Sequence, residues 1–98
     1  MANTYSNCYF HVVFSTRNRV DFIRPEIEGR VWAYIGGIAR KQGFTALQVG
    51  GIENHIHVLL SIPPSILTSK AVQLVKGDSS FWIHREFQQL SKFGWQDG

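Results

Sequence analysis

Cysteine occurs once in these 98 residues, at Cys8, so no disulfide can form within the chain. No apolar run approaches the roughly eighteen residues that a membrane-spanning helix requires, and that class is excluded. The N-terminal Met1-Ala2-Asn3-Thr4-Tyr5 lacks the basic-then-apolar order of a secretion signal. These absences together fit a reducing cytoplasm, which is the expected location. Charged residues are few, 17% of the chain, but 44% of it is hydrophobic, a balance that separates it from disordered sequences. There is no internal repeat, low-complexity stretch or linker. Residues 1–98 are expected to form a single domain, near the small end of what can bury an adequate core.

The sparse charge is unevenly spread. Residues 1–50 carry Arg17, Arg19, Arg24, Arg30, Arg40 and Lys41 against Asp21, Glu26 and Glu28, whereas the second half is balanced. The formal excess of +3 therefore lies entirely in the first half. Arginines gathered after a first strand suit phosphate binding, and equally suit a solvated loop.

Tyr9 to Ser15 is β-branched and aromatic and reads as a strand, ended by the polar turn Ser15-Thr16-Arg17-Asn18-Arg19. A helix should start at Pro25, with Glu26 and Glu28 in its first turn and Ile27, Val31, Ile35 and Ile38 at helical spacing. Arg40 and Lys41 complement its far end, and Gly43 is a plausible C-cap. Phe44 to Val49 reads as a second strand, Gly50 to Asn54 as a loop, and His55 to Ile62 as a third strand stopped by Pro63-Pro64. Ala71, Leu74 and Val75 mark a second helix that Gly77 should stop. Asp78-Ser79-Ser80 would then cap a third helix carrying Phe81, Trp82 and Ile83. Strand, helix, hairpin and helix in this order open an α+β, ferredoxin-like antiparallel sheet with its helices on one face. The fourth strand is incomplete: Phe93-Gly94-Trp95 could be its approach.

His55-Ile56-His57 carries the chemistry. Side chains alternate along a strand, so both imidazoles point to one face, about 7 Å apart along the chain, while Ile56, Val58, Leu60 and Ile62 point to the other. Two imidazoles on a rigid strand can share a divalent cation, with a third protein group and water completing the shell. Glu53 and Asn54 are near enough in sequence to be that group. On spacing alone, solvent-facing histidines on a half-exposed sheet are the stronger reading.

The surrounding residues add to this. Asn54-His55-Ile56-His57-Val58-Leu59-Leu60-Ser61-Ile62-Pro63-Pro64 resembles the central signature of the IS200-like transposases. These are the histidine–hydrophobic–histidine (HUH), tyrosine-nucleophile enzymes that mobilise insertion sequences as single-stranded DNA. Phe10-His11-Val12-Val13-Phe14-Ser15-Thr16-Arg17 is similar to that family's first strand and basic turn. Residues 69–80 are similar to its helix-and-turn segment, and 93–98 to the entry of its last strand. Four segments in the right order cover nearly the whole chain.

The resemblance implies that His55 and His57, with a third polar ligand, hold Mg²⁺ or Mn²⁺ against a scissile phosphate. A tyrosine on a C-terminal helix would attack, leaving a 5′-phosphotyrosine link and a free 3′-hydroxyl. It implies a homodimer that recognises single-stranded DNA with hairpin structure and needs no ATP. The family's tyrosine helix would fall beyond Gly98, so no residue of this chain is expected to be the nucleophile. Tyr5, Tyr9 and Tyr34 precede the histidines, against the family's order, and read as packing residues.

His11 reads as structural rather than a ligand, His84 as a surface residue and Cys8 as non-catalytic. Arg17, Arg19, Lys70 and Lys76 are candidates for DNA backbone contacts. Trp82 and Trp95 are candidates for stacking on unpaired bases, with burial on a helix face the stronger reading for Trp82. Of three further readings, a ferredoxin-like fold with no site would require the four-segment match to be accidental, and two others remain. One is a hairpin-binding module that does not cut. The other is a histidine-based nucleotide hydrolase or transferase, disfavoured because Leu59 stands where its third histidine belongs.

Overall fold

The computed structural model describes residues 7–96, so Tyr5 and the final Asp97-Gly98 lie outside the described residues. Its elements are β1 (Cys8–Ser15), a single 3₁₀ turn (Arg17–Arg19), α1 (Pro25–Gln42), β2 (Thr45–Ile52), β3 (His55–Ile62), α2 (Thr68–Glu86) and a second 3₁₀ turn (Gln88–Leu90).

The strands pair antiparallel in the order β1-β3-β2. β1 and β2 therefore run parallel on either side of β3, joined by the crossover helix α1, which is the split βαβ arrangement. Phe14, Ile56, Val58, Leu60 and Ile62 form the sheet's share of a single core. Val31, Ile35 and Ala39 of α1 and Ala71, Val75 and Ile83 of α2 supply the rest. The opposite face has no helix on it among the described residues, and it carries exposed Tyr9, Val13 and Ile52. The fold is the expected α+β one, with its helices on one face.

α1 follows the sequence closely. Pro25 opens it, and Gly43 closes it in the left-handed region (φ 93°), its N–H donating to Ala39 and Arg40 carbonyls. Two boundaries differ from expectation. β2 continues through Gly50-Gly51-Ile52, so the hairpin turn is only Glu53-Asn54. Gly51 allows this, because its φ of 152° brings the backbone against the His55 carbonyl and Ile56 Cα, where a Cβ has no room.

The second difference is that α2 does not stop at Gly77, and no third helix begins at Asp78. Asp78-Ser79-Ser80 lie inside the helix. Ser79 is fully buried, and its hydroxyl donates back to the Val75 carbonyl at 2.5 Å instead of capping a new helix. A turn signal loses here to burial of the residues on both sides of it.

The beginning of a fourth strand is present. The Arg17 N–H donates to the Gly94 carbonyl, the Gln96 N–H donates to the Ser15 carbonyl, and Thr16 bridges Trp95. This segment joins the outer edge of β1 at its C-terminal end only.

Candidate metal centre

The hairpin register positions the two histidines. His55 pairs with Ser15 and Ile52, and His57 with Val13 and Gly50, so β3 is held on both sides along its whole histidine segment. Buried Ile56 and Val58 fix the core face, which leaves His55 half-buried and His57 exposed on the open face. Their ring centroids lie 5.3 Å apart with planes inclined at 67°.

Each ring has one nitrogen engaged. His55 Nδ1 is 3.0 Å from Asn54 Oδ1, and His57 Nδ1 is 3.3 Å from His11 Nε2. An amide oxygen only accepts, so this pattern assigns the His55 proton to Nδ1 and leaves Nε2 a free lone pair. An imidazole held at Nδ1 with Nε2 bare is the usual form of a metal-ligating histidine. The donor set thus fits a divalent cation through two nitrogens. Among the described residues no group of three or more His, Cys, Asp or Glu side chains is arranged to hold a metal ion, so a cation held by the pair would need its other ligands from different groups or from water.

Neither suggested third ligand is placed for the task. The Asn54 side chain orients His55. Glu53 sits half-buried in the turn, and its carboxylate does not join His55 and His57 in a group of three arranged to hold a metal ion. His11 was missed as part of the site. It stands opposite Leu59, and its side chain reaches diagonally to His57. Its place on the open face could have been read from strand alternation, but its neighbour depended on a cross-strand register the sequence does not print. His11, His57, Leu59, Gln48 and Gly50 line a depression of about 490 Å³ on this face.

The basic turn is tied to the same end of the sheet. Buried Thr16 donates its hydroxyl to the Val20 carbonyl, and its N–H goes to the Asn54 carbonyl, which links the turn to the histidine hairpin. Asn18 and Arg19 both have positive φ, 57° and 54°. Two consecutive non-glycine residues in that region carry strain, and it is held here by the Gln96 side-chain oxygen accepting the Asn18 N–H. Arg17 lies flat over Gly94. Arg17, Arg19 and Lys70 are exposed, whereas the Lys76 ammonium donates to the Gln96 carbonyl at 2.8 Å and lies over the Phe14 ring.

The aromatic candidates separate clearly. Trp95 is buried, its indole N–H donating to Ser79 Oγ at 3.0 Å, so it is no platform for unpaired bases. Trp82 stacks on Tyr34 at 4.3 Å in the helical layer, so the Tyr34 ring packs against α2. Tyr9 shares the histidine face but pairs with Ser61, four residues along β3 from His57. That is about 13 Å along the strand. His84 is an exposed residue whose Nε2 lies 2.7 Å from the Phe93 carbonyl, and Cys8 is exposed and free.

A three-stranded α+β sandwich with a histidine pair on the bare face of its central strand defines the class structurally. Comparison with known proteins identifies the family within it. The model of the family described as "Transposase IS200 like" matches residues 4–98, and the chain belongs to that family. Transposases for insertion sequence element IS200 from Salmonella typhimurium LT2 and Salmonella typhi are each 32% identical over 94 residues, 92% of this chain. The chain spans 59% of the length of each of them. In fold it is similar to a crystal structure of a candidate transposase from Deinococcus radiodurans R1. That match has a TM-score of 0.85 at 19% identity, covering 92% of this chain and 69% of the other.

Proposed function

We propose that this chain is the metal- and DNA-binding portion of a transposase that cuts and rejoins single-stranded DNA at insertion-sequence ends. The observation that carries this reading is the pair of imidazoles on the open face, each with Nδ1 engaged and Nε2 directed away from that contact. Bound there, Mg²⁺ or Mn²⁺ supplies Lewis-acid polarisation of a scissile phosphate. The chain's own part is to hold two nitrogens in fixed positions on a rigid strand, on a sheet face that no helix covers among the described residues.

The basic turn supplies backbone contacts. Arg17 and Arg19 project from a segment fastened both to the histidine hairpin and to the start of the fourth strand. Phosphates engaged by them would lie near the metal pair. Lys70 is a further contact, and Lys76 is a weaker one because part of its donor capacity is already used.

In the strand-cutting step, a tyrosine oxygen attacks the phosphorus, its proton leaves to solvent or a base, and the bond to the 3′ oxygen breaks. The products are a 5′-phosphotyrosine link and a 3′-hydroxyl, so the bond energy is conserved and no ATP is needed. Neither Tyr9 nor Tyr34 reaches the histidines, so the nucleophile belongs to a segment outside the described residues, and a homodimer would allow it to come from a second copy. The distance of these two tyrosines also supports a second reading, a hairpin-binding module that does not cut.

Gel-shift titration of a single-stranded DNA hairpin against this chain, at several salt concentrations, tests the reading. Affinity should fall steeply with salt. Arg17→Ala with Arg19→Ala should reduce the log–log slope by about 0.7 for each phosphate that is no longer neutralised. An unchanged slope would move the DNA surface elsewhere, and no binding at low salt would reject the reading. Cleavage by a longer version containing the downstream tyrosine, abolished by His57→Ala, would separate the transposase from the binding module.

A further inference from the structure

We infer that His11 is a positioning residue for the metal pair: it accepts the His57 Nδ1–H through its own Nε2 and turns the His57 Nε2 lone pair to the open face. The inference deepens the metal reading above and rests on it. Three observations support it.

The first is geometry. His11 Nε2 and His57 Nδ1 are 3.3 Å apart, with ring planes only 26° from parallel and centroids 5.3 Å apart. With 5.3 Å between centroids, a 3.3 Å separation between these two nitrogens means the rings meet through their nitrogen edges. Both rings stand on paired strands, His11 diagonal to His57 across β1 and β3, so backbone register sets the contact.

The second observation is the match with His55. Asn54 Oδ1 assigns the His55 proton to Nδ1 and frees Nε2. For His57 to offer the same atom, its Nδ1 must also carry the proton and must have an acceptor. His11 Nε2 is the acceptor in place. His11 then carries its own proton on Nδ1. The two ligands are set by the same device, one from the hairpin turn and one from the neighbouring strand.

The third observation excludes the nearest alternatives. His11 is exposed, so core packing does not explain it. Nor do His11, His55 and His57 constitute a group of three arranged to hold a metal ion. A ring that is neither packed nor a ligand, but aimed at a ligand's second nitrogen, orients that ligand.

The test uses ¹⁵N-labelled chain and long-range ¹H–¹⁵N correlations of the imidazoles, which read each tautomer directly without metal. His57 should be protonated at Nδ1 in the wild type. His11→Phe keeps a strand-favouring ring but removes the acceptor, and should release His57 to the Nε2–H form or a mixture. His11→Gln offers an amide oxygen and should restore Nδ1–H. Mn²⁺ titration calorimetry should then show affinity weakened at least about tenfold in His11→Phe and largely recovered in His11→Gln.

A wild-type His57 protonated at Nε2, or a His57 pattern indifferent to His11→Phe, would overturn the inference. So would a Zn²⁺ titration in which His11 Nε2 itself takes the coordination shift, since His11 would then be a ligand. If the tautomers respond as expected while wild-type chain binds no Mn²⁺, positioning by His11 stands and the metal reading falls.

Discussion

At the scale of single residues, Ser79 shows how a buried hydroxyl joins distant parts of the chain. It donates to the Val75 carbonyl and accepts the Trp95 indole N–H, all within the core. Trp95 in turn packs against Phe14 and Phe93, so one oxygen links α2 to the start of the fourth strand. Ser79→Ala strands the indole N–H in an apolar setting and should cost about 1–3 kcal/mol. Urea unfolding followed by tryptophan fluorescence would measure it, and a loss below about 0.5 kcal/mol would mean that water replaces the hydroxyl. Nothing in the local sequence announced this role. Asp78-Ser79-Ser80 carries the composition of a helix cap, and only the return of Trp95 explains why Ser79 is used otherwise. The histidine pair is the opposite case. His55 and His57 were legible because strand alternation is a local rule, and their shared face follows from it. His11 obeys the same rule, yet its value depends on standing diagonal to His57, a fact of pairing between residues 46 positions apart.

At the scale of elements, two glycines with different surroundings should respond oppositely to one substitution. Gly77 lies exposed within α2, and a Cβ there meets nothing within 4 Å. Gly77→Ala should therefore stabilise the protein by about 0.5–1 kcal/mol, the usual helical preference for alanine. A helix that ended at Gly77 in a left-handed cap would instead be destabilised, so the sign of the change in thermal midpoint tests the continuity of α2. Gly51 is the counterpart. Its positive φ and the backbone of His55 and Ile56 leave no space for a methyl group. Gly51→Ala should cost on the order of 1–3 kcal/mol and shift the His55 ring signals, because the carbonyl that must yield belongs to His55 itself. Unchanged His55 resonances would show that the hairpin relaxes without disturbing the site. The Gly50-Gly51 pair reads as a loop by composition, and the strand continues through it because β3 presents hydrogen-bonding partners as far as the turn. The glycines thus misplaced the element boundary, and the close backbone approach at Gly51 is visible only once β3 is paired.

At the scale of the whole molecule, the sheet is finished on one face and open on the other. α1 and α2 cover the core face, and its residues follow the alternation that the sequence displays. On the open face Tyr9 and Val13 of β1 and Leu47 and Ile52 of β2 are each at least half exposed, flanking the histidines with apolar surface. β1 has a second exposed feature. Among the described residues only its Ser15–Thr16 end is bridged, by Gly94–Gln96, and the stretch from Cys8 to Phe14 has no strand on its far side. An unpaired, β-branched edge is a template for another strand, and an adjoining apolar face adds area that water leaves on contact. Both features favour a second copy of this chain, the arrangement in which a tyrosine from one subunit could serve the histidines of the other. The chain should therefore be a dimer or larger at micromolar concentration. Light scattering should give at least twice the 11.2 kDa of the single chain. Tyr9→Lys places a charge on the exposed face at the start of the bare edge and should shift the population toward monomer with the circular dichroism spectrum unchanged. A wild-type monomer would leave β1 as an edge protected by its own twist and by the short fourth-strand segment, and any cleavage would then have to be completed within one subunit.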